Sequence, residues 1–136
     1  MDNKELVKAA KEAMKNAYVP YSKFRVGAAL QTADGLIFTG CNIENASFGG
    51  TNCAERTALF KAISEGNRKF TKIAVISDSN DYTYPCGICR QVLSEWGLDM
   101  EIIVANCNED FRVHKLADIL PYAFTNENME GRYVSE

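Results

Sequence analysis

The chain has 136 residues, 46% of them hydrophobic and 24% charged, which suffices for one compact domain over residues 1–136 and excludes two ordinary domains or a disordered chain. Its formal net charge is -3 and its lysines and arginines are scattered, so the basic stripe of a phosphate-backbone binder is missing and no nucleic-acid partner is expected. The opening "MDNKELVKAAKEAMKNAY" lacks the basic-then-apolar order of an export signal, and no apolar run approaches membrane-spanning length, which predicts a cytoplasmic location without membrane association.

Leu6, Ala10, Ala13, Met14 and Ala17 recur at helical spacing, with Asp2 and Glu5 placed as a capping pair, and predict a first helix that ends before Pro20. "RVGAALQTADGLIFTGCNIE" holds two apolar runs around Asp34-Gly35, the signal of an antiparallel hairpin. Residues 45–51 turn to Asn, Ser and Gly and read as a loop. Asn52 then caps a second helix from Cys53, with Glu55 reaching back and Gly66 closing it. "KIAVIS", residues 72–77, is predicted as a strand buried on both faces. Pro85 suits the first position of a third helix running through Cys86 and Cys89 to about Trp96, stopped by Gly97. "EIIVA", residues 101–105, is another buried strand. "FRVHK" reads as an edge strand, and "KLADILP" as a brief last helix before a polar tail.

The order α-β-β-α-β-α-β-β-α predicts a mixed five-stranded sheet with helices on both faces, a three-layer α/β/α sandwich. In such sheets ligands gather beyond the carboxyl ends of strands, where the next helices begin, and Cys53 and Cys86 stand at two such starts.

Five cysteines are an odd number in a chain without an export signal, which argues against a disulfide framework and for metal or catalytic use. Cys86 and Cys89 form a C-x-x-C pair whose sulfurs share one helix face. Taken alone, the pair fits a redox dithiol, half of a structural zinc knuckle or two buried cysteines equally well. Cys53 shifts the balance, because three thiolates from two helix starts leave one position of a tetrahedral zinc open, as a catalytic metal requires. The partial positive charge of each helix start favours the thiolate form. Arg56, always protonated, is placed to offset part of the negative charge, its alternative being an ordinary surface charge. Glu55 is placed to approach the open metal position as a general acid and base tuned by partial burial, the alternative being a capping role alone.

The order C-A-E at residues 53–55 followed by P-C-G-I-C at 85–89 resembles the signature of the zinc nucleobase deaminases in its three-cysteine form. "PYSKFRVGAAL", "GCNIENASF", "CAERTALF" and "PCGICRQVL" are similar, over nearly the whole chain, to the small cytidine deaminases. The resemblance implies that Cys53, Cys86 and Cys89 hold one zinc ion per chain, that activated water attacks C4 of cytosine in cytidine or 2′-deoxycytidine, and that ammonia leaves. It implies that Glu55 shuttles the protons, that Phe24 packs against the base, that Ala54 lies in the substrate site, and that Asn42 and Glu44 hold ribose hydroxyls. Read without it, "CNIEN" is a polar loop after a strand. Phe48 stands where relatives often carry tyrosine, which removes a hydroxyl from the ribose 5′ side. "ILPYAF" resembles the segment that sends a phenylalanine into a neighbouring active site, so Phe124 is expected to reach a partner's substrate in a homotetramer with shared sites.

The rivals are deaminases of an aminonucleoside antibiotic such as blasticidin S or of deoxycytidylate, a closed non-catalytic zinc scaffold, and a thioredoxin-like dithiol. The NIEN and CAERTA stretches disfavour the first, and the missing cationic cluster disfavours the second. His114, the single histidine, is assigned a structural or surface role. Cys41 and Cys107 are read as buried small apolar residues, Cys41 with a minor claim to close the zinc shell.

Overall fold

The computed structural model describes residues 1–129. Helix α1 (Asn3–Met14) is followed by β1 (Val26–Thr32), β2 (Ile37–Cys41), a 3-10 turn (Phe48–Gly50), α2 (Ala54–Ser64), β3 (Phe70–Ser77), α3 (Gly87–Ser94), β4 (Glu101–Ala105), β5 (Phe111–Lys115) and α4 (Leu116–Ile119). The strands form one sheet in the order β2-β1-β3-β4-β5, in which only β3 and β4 run parallel.

Period-two alternation along the central strands supplies both cores at once. Leu6, Val7, Ala10 and Met14 of α1 pack on the face formed by Ala29, Ala74, Ile76, Ile103 and Ala105. The intervening residues Ala28, Leu30, Ile73, Ile102 and Val104 face the opposite way, onto Ala54, Ala58, Leu59 and Ala62 of α2 and Leu93 of α3. The expected three layers with a mixed five-stranded sheet are therefore present. β3 is buried on both faces, as its uninterrupted apolar run requires.

Several predicted boundaries shift, each for a local reason. Asp2 caps α1 by accepting from the Glu5 N–H at 2.8 Å, but the helix ends at Met14, and Ala17 lies beyond it in a tightening turn whose N–H reaches the Met14 carbonyl. The hairpin is one residue longer than a tight two-residue turn. The Gly35 N–H donates to the Thr32 carbonyl at 3.1 Å, with Gly35 in the left-handed region at φ 89°.

Asn52 does not cap α2. Its N–H donates to Ile43 in a short bridge and its side chain donates to Thr57 Oγ1, which leaves Cys53 as the capping residue. Pro85 likewise precedes the helix rather than opening it, since Cys86 is the cap of α3. α3 also stops at Ser94, short of Trp96, which packs edge-to-face on Phe70 at the rim of the core.

Close helix approach to the sheet depends on two glycines. A Cβ on Gly27 would collide with the Ala10 carbonyl of α1, and one on Gly40 would lie 2.5 Å from both the Ala54 carbonyl and the Ala58 N–H of α2. Gly40 thus lets the first turn of α2 settle against β2, directly under the residues of the C-A-E motif.

Candidate active site

The ends of β2 and β3 and the starts of α2 and α3 meet on one side of the sheet, where the three sulfurs of Cys53, Cys86 and Cys89 lie within 4.8 Å of one another. Each motif cysteine is placed by a helix start. Cys53 and Cys86 are the capping residues of α2 and α3, both with extended backbone, and Cys86 Sγ accepts the Cys89 N–H at 3.5 Å. The sulfur of Cys86 therefore occupies the place of a capping oxygen, facing the unpaired amides that stabilise an anion.

Two sulfurs bound to one tetrahedral zinc at about 2.3 Å stand about 3.8 Å apart. Cys53 and Cys86 are 3.7 Å apart. Arg56 Nη2 donates to Cys53 Sγ at 3.1 Å, and hydrogen bonds from Cys89 and then Arg56 lower the Cys53 thiol to about 5, against the cost of burial. Cys89, fully buried and donating a hydrogen bond to Cys53 while keeping its own proton, is held far above the ordinary thiol value. Three sulfurs gathered this closely, one of them anionic, suit a dication that would offset the charge of all three. Donor type, spacing and local charge fit zinc. Cys41 is not part of the cluster, and among the described residues no fourth histidine, cysteine or carboxylate closes it. The minor claim of Cys41 to the shell is thereby corrected.

Glu55 occupies the first turn of α2 and is only 4% exposed. Burial raises its carboxyl to about 7, and the negative Cys53 sulfur adds to the rise. The Asn52 N–H donates to the Ile43 carbonyl rather than to Glu55, so the capping box drawn from sequence is absent, and Glu55 lines the hollow beside Cys53 and Cys86. The Arg56 guanidinium, whose hydrogen bond to Cys53 raises it further, is committed to the sulfurs rather than to the surface. Its Nε is buried with no hydrogen-bond partner among the described residues.

A hollow of about 220 Å³ opens beside the cluster, lined by Phe24, Val26, Asn42, Thr51, Cys53, Ala54, Glu55, Thr83, Tyr84 and Cys86. A second hollow of about 450 Å³, lined by Tyr21, Ser22, Glu44, Phe48 and Thr51, adjoins it through Thr51. Asn42 Nδ2 donates to the Phe24 carbonyl at 2.8 Å, and Asn42 Oδ1 accepts the Val26 N–H at 2.9 Å. Glu44 Oε1 accepts the N–H groups of Tyr21 and Ser22 at 3.0 and 3.1 Å, and hydrogen bonding led by the Ser22 side chain keeps its carboxyl below the usual range. Phe48 is 75% exposed and meets the Tyr21 ring edge-to-face.

Phe124 lines neither hollow of its own chain, and its carbonyl accepts Gln91 Nε2 of α3 at 2.6 Å. Residues of the hollow that sequence reasoning missed are Val26, Thr51, Thr83 and Tyr84. Only their adjacency to the motifs marks them, since no residue type among them signals ligand binding. His114 contacts Tyr84, its Nε2 lying 3.0 Å from the phenol oxygen, which gives the expected structural role a definite partner. Cys107 is half-buried with its thiol directed at Asn80, and Cys41 is also only half-buried, so neither is the fully buried apolar residue expected.

Three sulfurs on two helix starts, open on one side and flanked by a buried carboxyl that titrates near neutrality, define a zinc centre of the hydrolytic type on an α/β/α sandwich. A family model described as the cytidine and deoxycytidylate deaminase zinc-binding region matches residues 1–106. The chain is 51% identical over 130 residues to a cytidine deaminase of Halalkalibacterium halodurans, covering 95% of this chain and 98% of that protein. A crystal structure of a cytidine deaminase from Burkholderia pseudomallei superposes with a TM-score of 0.88 at 50% identity, covering 91% of this chain and 100% of that one. A blasticidin-S deaminase of Bacillus cereus is more distant, at 30% identity over 129 residues, 89% of this chain and 91% of that protein. The chain belongs to the cytidine and deoxycytidylate deaminase family. Its cofactor is zinc, one ion per chain.

Proposed function

We propose that the protein, acting as one domain, deaminates cytidine and 2′-deoxycytidine to uridine and 2′-deoxyuridine with release of ammonia. The observation that carries this reading is the buried Glu55 carboxyl beside the sulfurs of Cys53, Cys86 and Cys89, in a hollow that also presents Phe24 and Asn42. Zinc held by the three cysteines supplies Lewis acidity and makes water nucleophilic near neutral pH. Glu55, titrating near 7, takes a proton from the attacking water and gives it to ring N3 so that C4 becomes electrophilic, then takes the second proton from the oxygen added at C4 and delivers it to the amine, which leaves as ammonia when the C4–N bond breaks. Arg56 withdraws charge from Cys53, which keeps three thiolates from quenching the metal.

Phe24 supplies an apolar face for the pyrimidine, and buried Ala54 leaves room beside it. Asn42 spends one N–H and one lone pair on the backbone of Phe24 and Val26, leaving one of each for a ribose hydroxyl. Glu44, anchored through Oε1, adds a carboxylate acceptor for the sugar and opposes a charged 5′-phosphate. Phe48 borders the same hollow with no hydroxyl, so the 5′ side of the sugar meets an apolar edge.

The assembly read from sequence, a homotetramer with shared sites, is supported by Phe48, Ile88, Tyr122 and Phe124, large side chains that are all more than half exposed. In that assembly Phe124 stacks on a partner's substrate. The cytoplasm suits a chain whose cysteines are free and whose ligands must stay reduced. Among the described residues no helix is long and apolar enough to cross a membrane.

The test is ammonia release and the ultraviolet change when the purified, zinc-assayed protein meets cytidine, 2′-deoxycytidine, deoxycytidylate and blasticidin S separately. Turnover of the two nucleosides alone is expected. Turnover of blasticidin S or deoxycytidylate alone reassigns the substrate, and tightly bound zinc with no turnover of any makes the protein a scaffold.

A further inference from the structure

The ladder between β1 and β3 ends at the pair Val26 and Ser77. One step beyond it Arg25 faces Asp78, and the two residues close onto each other through both side chain and backbone. Arg25 Nε donates to Asp78 Oδ2 and Nη2 to Oδ1, each at 3.0 Å. The Arg25 N–H donates to Asp78 Oδ2 at 3.3 Å, and the Asp78 N–H donates to the Arg25 carbonyl at 3.3 Å. The bidentate fork fixes orientation as well as distance. Neither residue lines the substrate hollow.

Both are nevertheless chained to residues that do. On one side, Phe24, Arg25 and Val26 are gripped by the Asn42 amide, just past the end of β2, and by Asp78, just past the end of β3. Phe24 is 43% exposed and packs in neither core cluster, so its position is set chiefly through its backbone. On the other side, Asp78 begins the loop that leads to Thr83, Tyr84 and Cys86. Ser77 Oγ meets Thr83 Oγ1 at 2.6 Å, the Ser79 N–H donates to Ser77 Oγ at 3.2 Å, and the Thr83 N–H donates to the Ala105 carbonyl at 3.0 Å. The loop is folded back on the strand ends, and its first residue is the one held by Arg25.

We propose that the Arg25–Asp78 pair is a positioning clip of the active site, setting the distance between the lip that carries Phe24 and Val26 and the lip that carries Thr83 and Tyr84. The inference rests on the reading of this hollow as the nucleoside site. Exposed ion pairs contribute little to stability, and side chains at 44% and 36% exposure place this one in that class. Substrate binding, by contrast, is sensitive to small displacements of a stacking ring. The clip therefore acts on KM and hardly on folding, which separates it from an ordinary structural pair.

The experiment compares the zinc-loaded wild-type protein with Asp78→Asn, Arg25→Gln and the swapped double variant Arg25→Asp/Asp78→Arg. For cytidine, each single variant is expected to raise KM about three- to tenfold with kcat within about twofold, and the swap to recover part of the loss. Zinc content and thermal midpoint stay at wild-type values. Hydrogen exchange at the amides of residues 79–84 quickens in the single variants. Unchanged KM in both singles overturns the proposal, as does a lowered thermal midpoint with unchanged KM, or a fall in kcat accompanied by loss of zinc. If the wild-type protein leaves cytidine intact, the substrate reading fails by itself. The exchange measurement then decides the clip, with unaltered protection at residues 79–84 overturning it and faster exchange there upholding it.

Discussion

The two helix starts that meet at the metal site use the same device for different ends. At α2, Ala54 is fully buried, Glu55 nearly so, and Gly40 allows the first turn to lie against β2. At α3, Cys86 and Gly87 are exposed, Ile88 is 62% exposed, and only Cys89 reaches the core. Both starts present a cysteine as the capping residue. The buried start adds the chemistry, because desolvation is what lifts Glu55 to about 7. The open start adds two of the three candidate ligands and one wall of the hollow beside them. For the roles proposed above, ligation needs only spacing and a helix end, whereas proton transfer also needs exclusion of water.

Breaking the open start at its single buried residue has the largest expected effect. Cys89→Ala removes a ligand and leaves a void in the core, so zinc measured by mass spectrometry falls well below one per chain and deamination is lost. Full zinc content in this variant would remove Cys89 from the ligand set. At the buried start, Glu55→Gln is nearly isosteric and leaves the sulfurs in place. Its kcat is expected to drop by a factor of about 10² to 10⁴ while zinc stays at one per chain, and retained turnover would assign the proton transfers elsewhere.

Arg56→Gln probes the charge that joins the two starts. The guanidinium stabilises negative charge on Cys53 and, more weakly, on Glu55. Its removal raises the pKa of nearby groups that must be deprotonated for attack, so the acid limb of kcat/KM moves to higher pH, by about one unit. An unmoved limb would reduce Arg56 to a packing role.

The smallest effects come from two glycines and sharpen the contrast most directly. Gly40→Ala forces a Cβ to 2.5 Å from backbone of α2, and a loss of about 1–3 kcal/mol in denaturant unfolding is expected. Gly87→Ala has nothing within 4 Å of its new Cβ and an ordinary backbone angle, so stability stays level or rises by about 0.5–1 kcal/mol. Equal losses at both positions would mean that α3 is packed as tightly as α2.

Much of the architecture was legible because its signals are local. Runs of alternating and uninterrupted apolar residues announced five strands, and Asp34-Gly35 announced the hairpin. The cysteine trio could be read because C-x-x-C and C-A-E carry their helical geometry within three or four residues. The helix starts were misplaced by one position at α2 and by two at α3. Asn52 and Pro85 have strong cap and first-turn preferences, but bridge pairing to Ile43 and the demands of the sulfur cluster override them. Val26, Thr51, Thr83 and Tyr84 carried no signal beyond adjacency to the motifs, since a wall residue of a hollow needs no particular chemistry.

The sequence by itself determined the strands and helices, the sheet class and the three candidate ligands, because hydrophobic period and short-range spacing act within one or two turns of chain. Tertiary structure alone decided that Glu55 is desolvated, that the Arg56 guanidinium turns to Cys53 rather than to solvent, and that Asn42 grips Phe24 and Val26. It also decided that Arg25 meets Asp78 across the sheet end. Apart from the Arg56–Cys53 contact, which spans three residues, those contacts join segments well separated in the chain, and their partners are chosen by how the sheet and its helices pack, which no local pattern encodes.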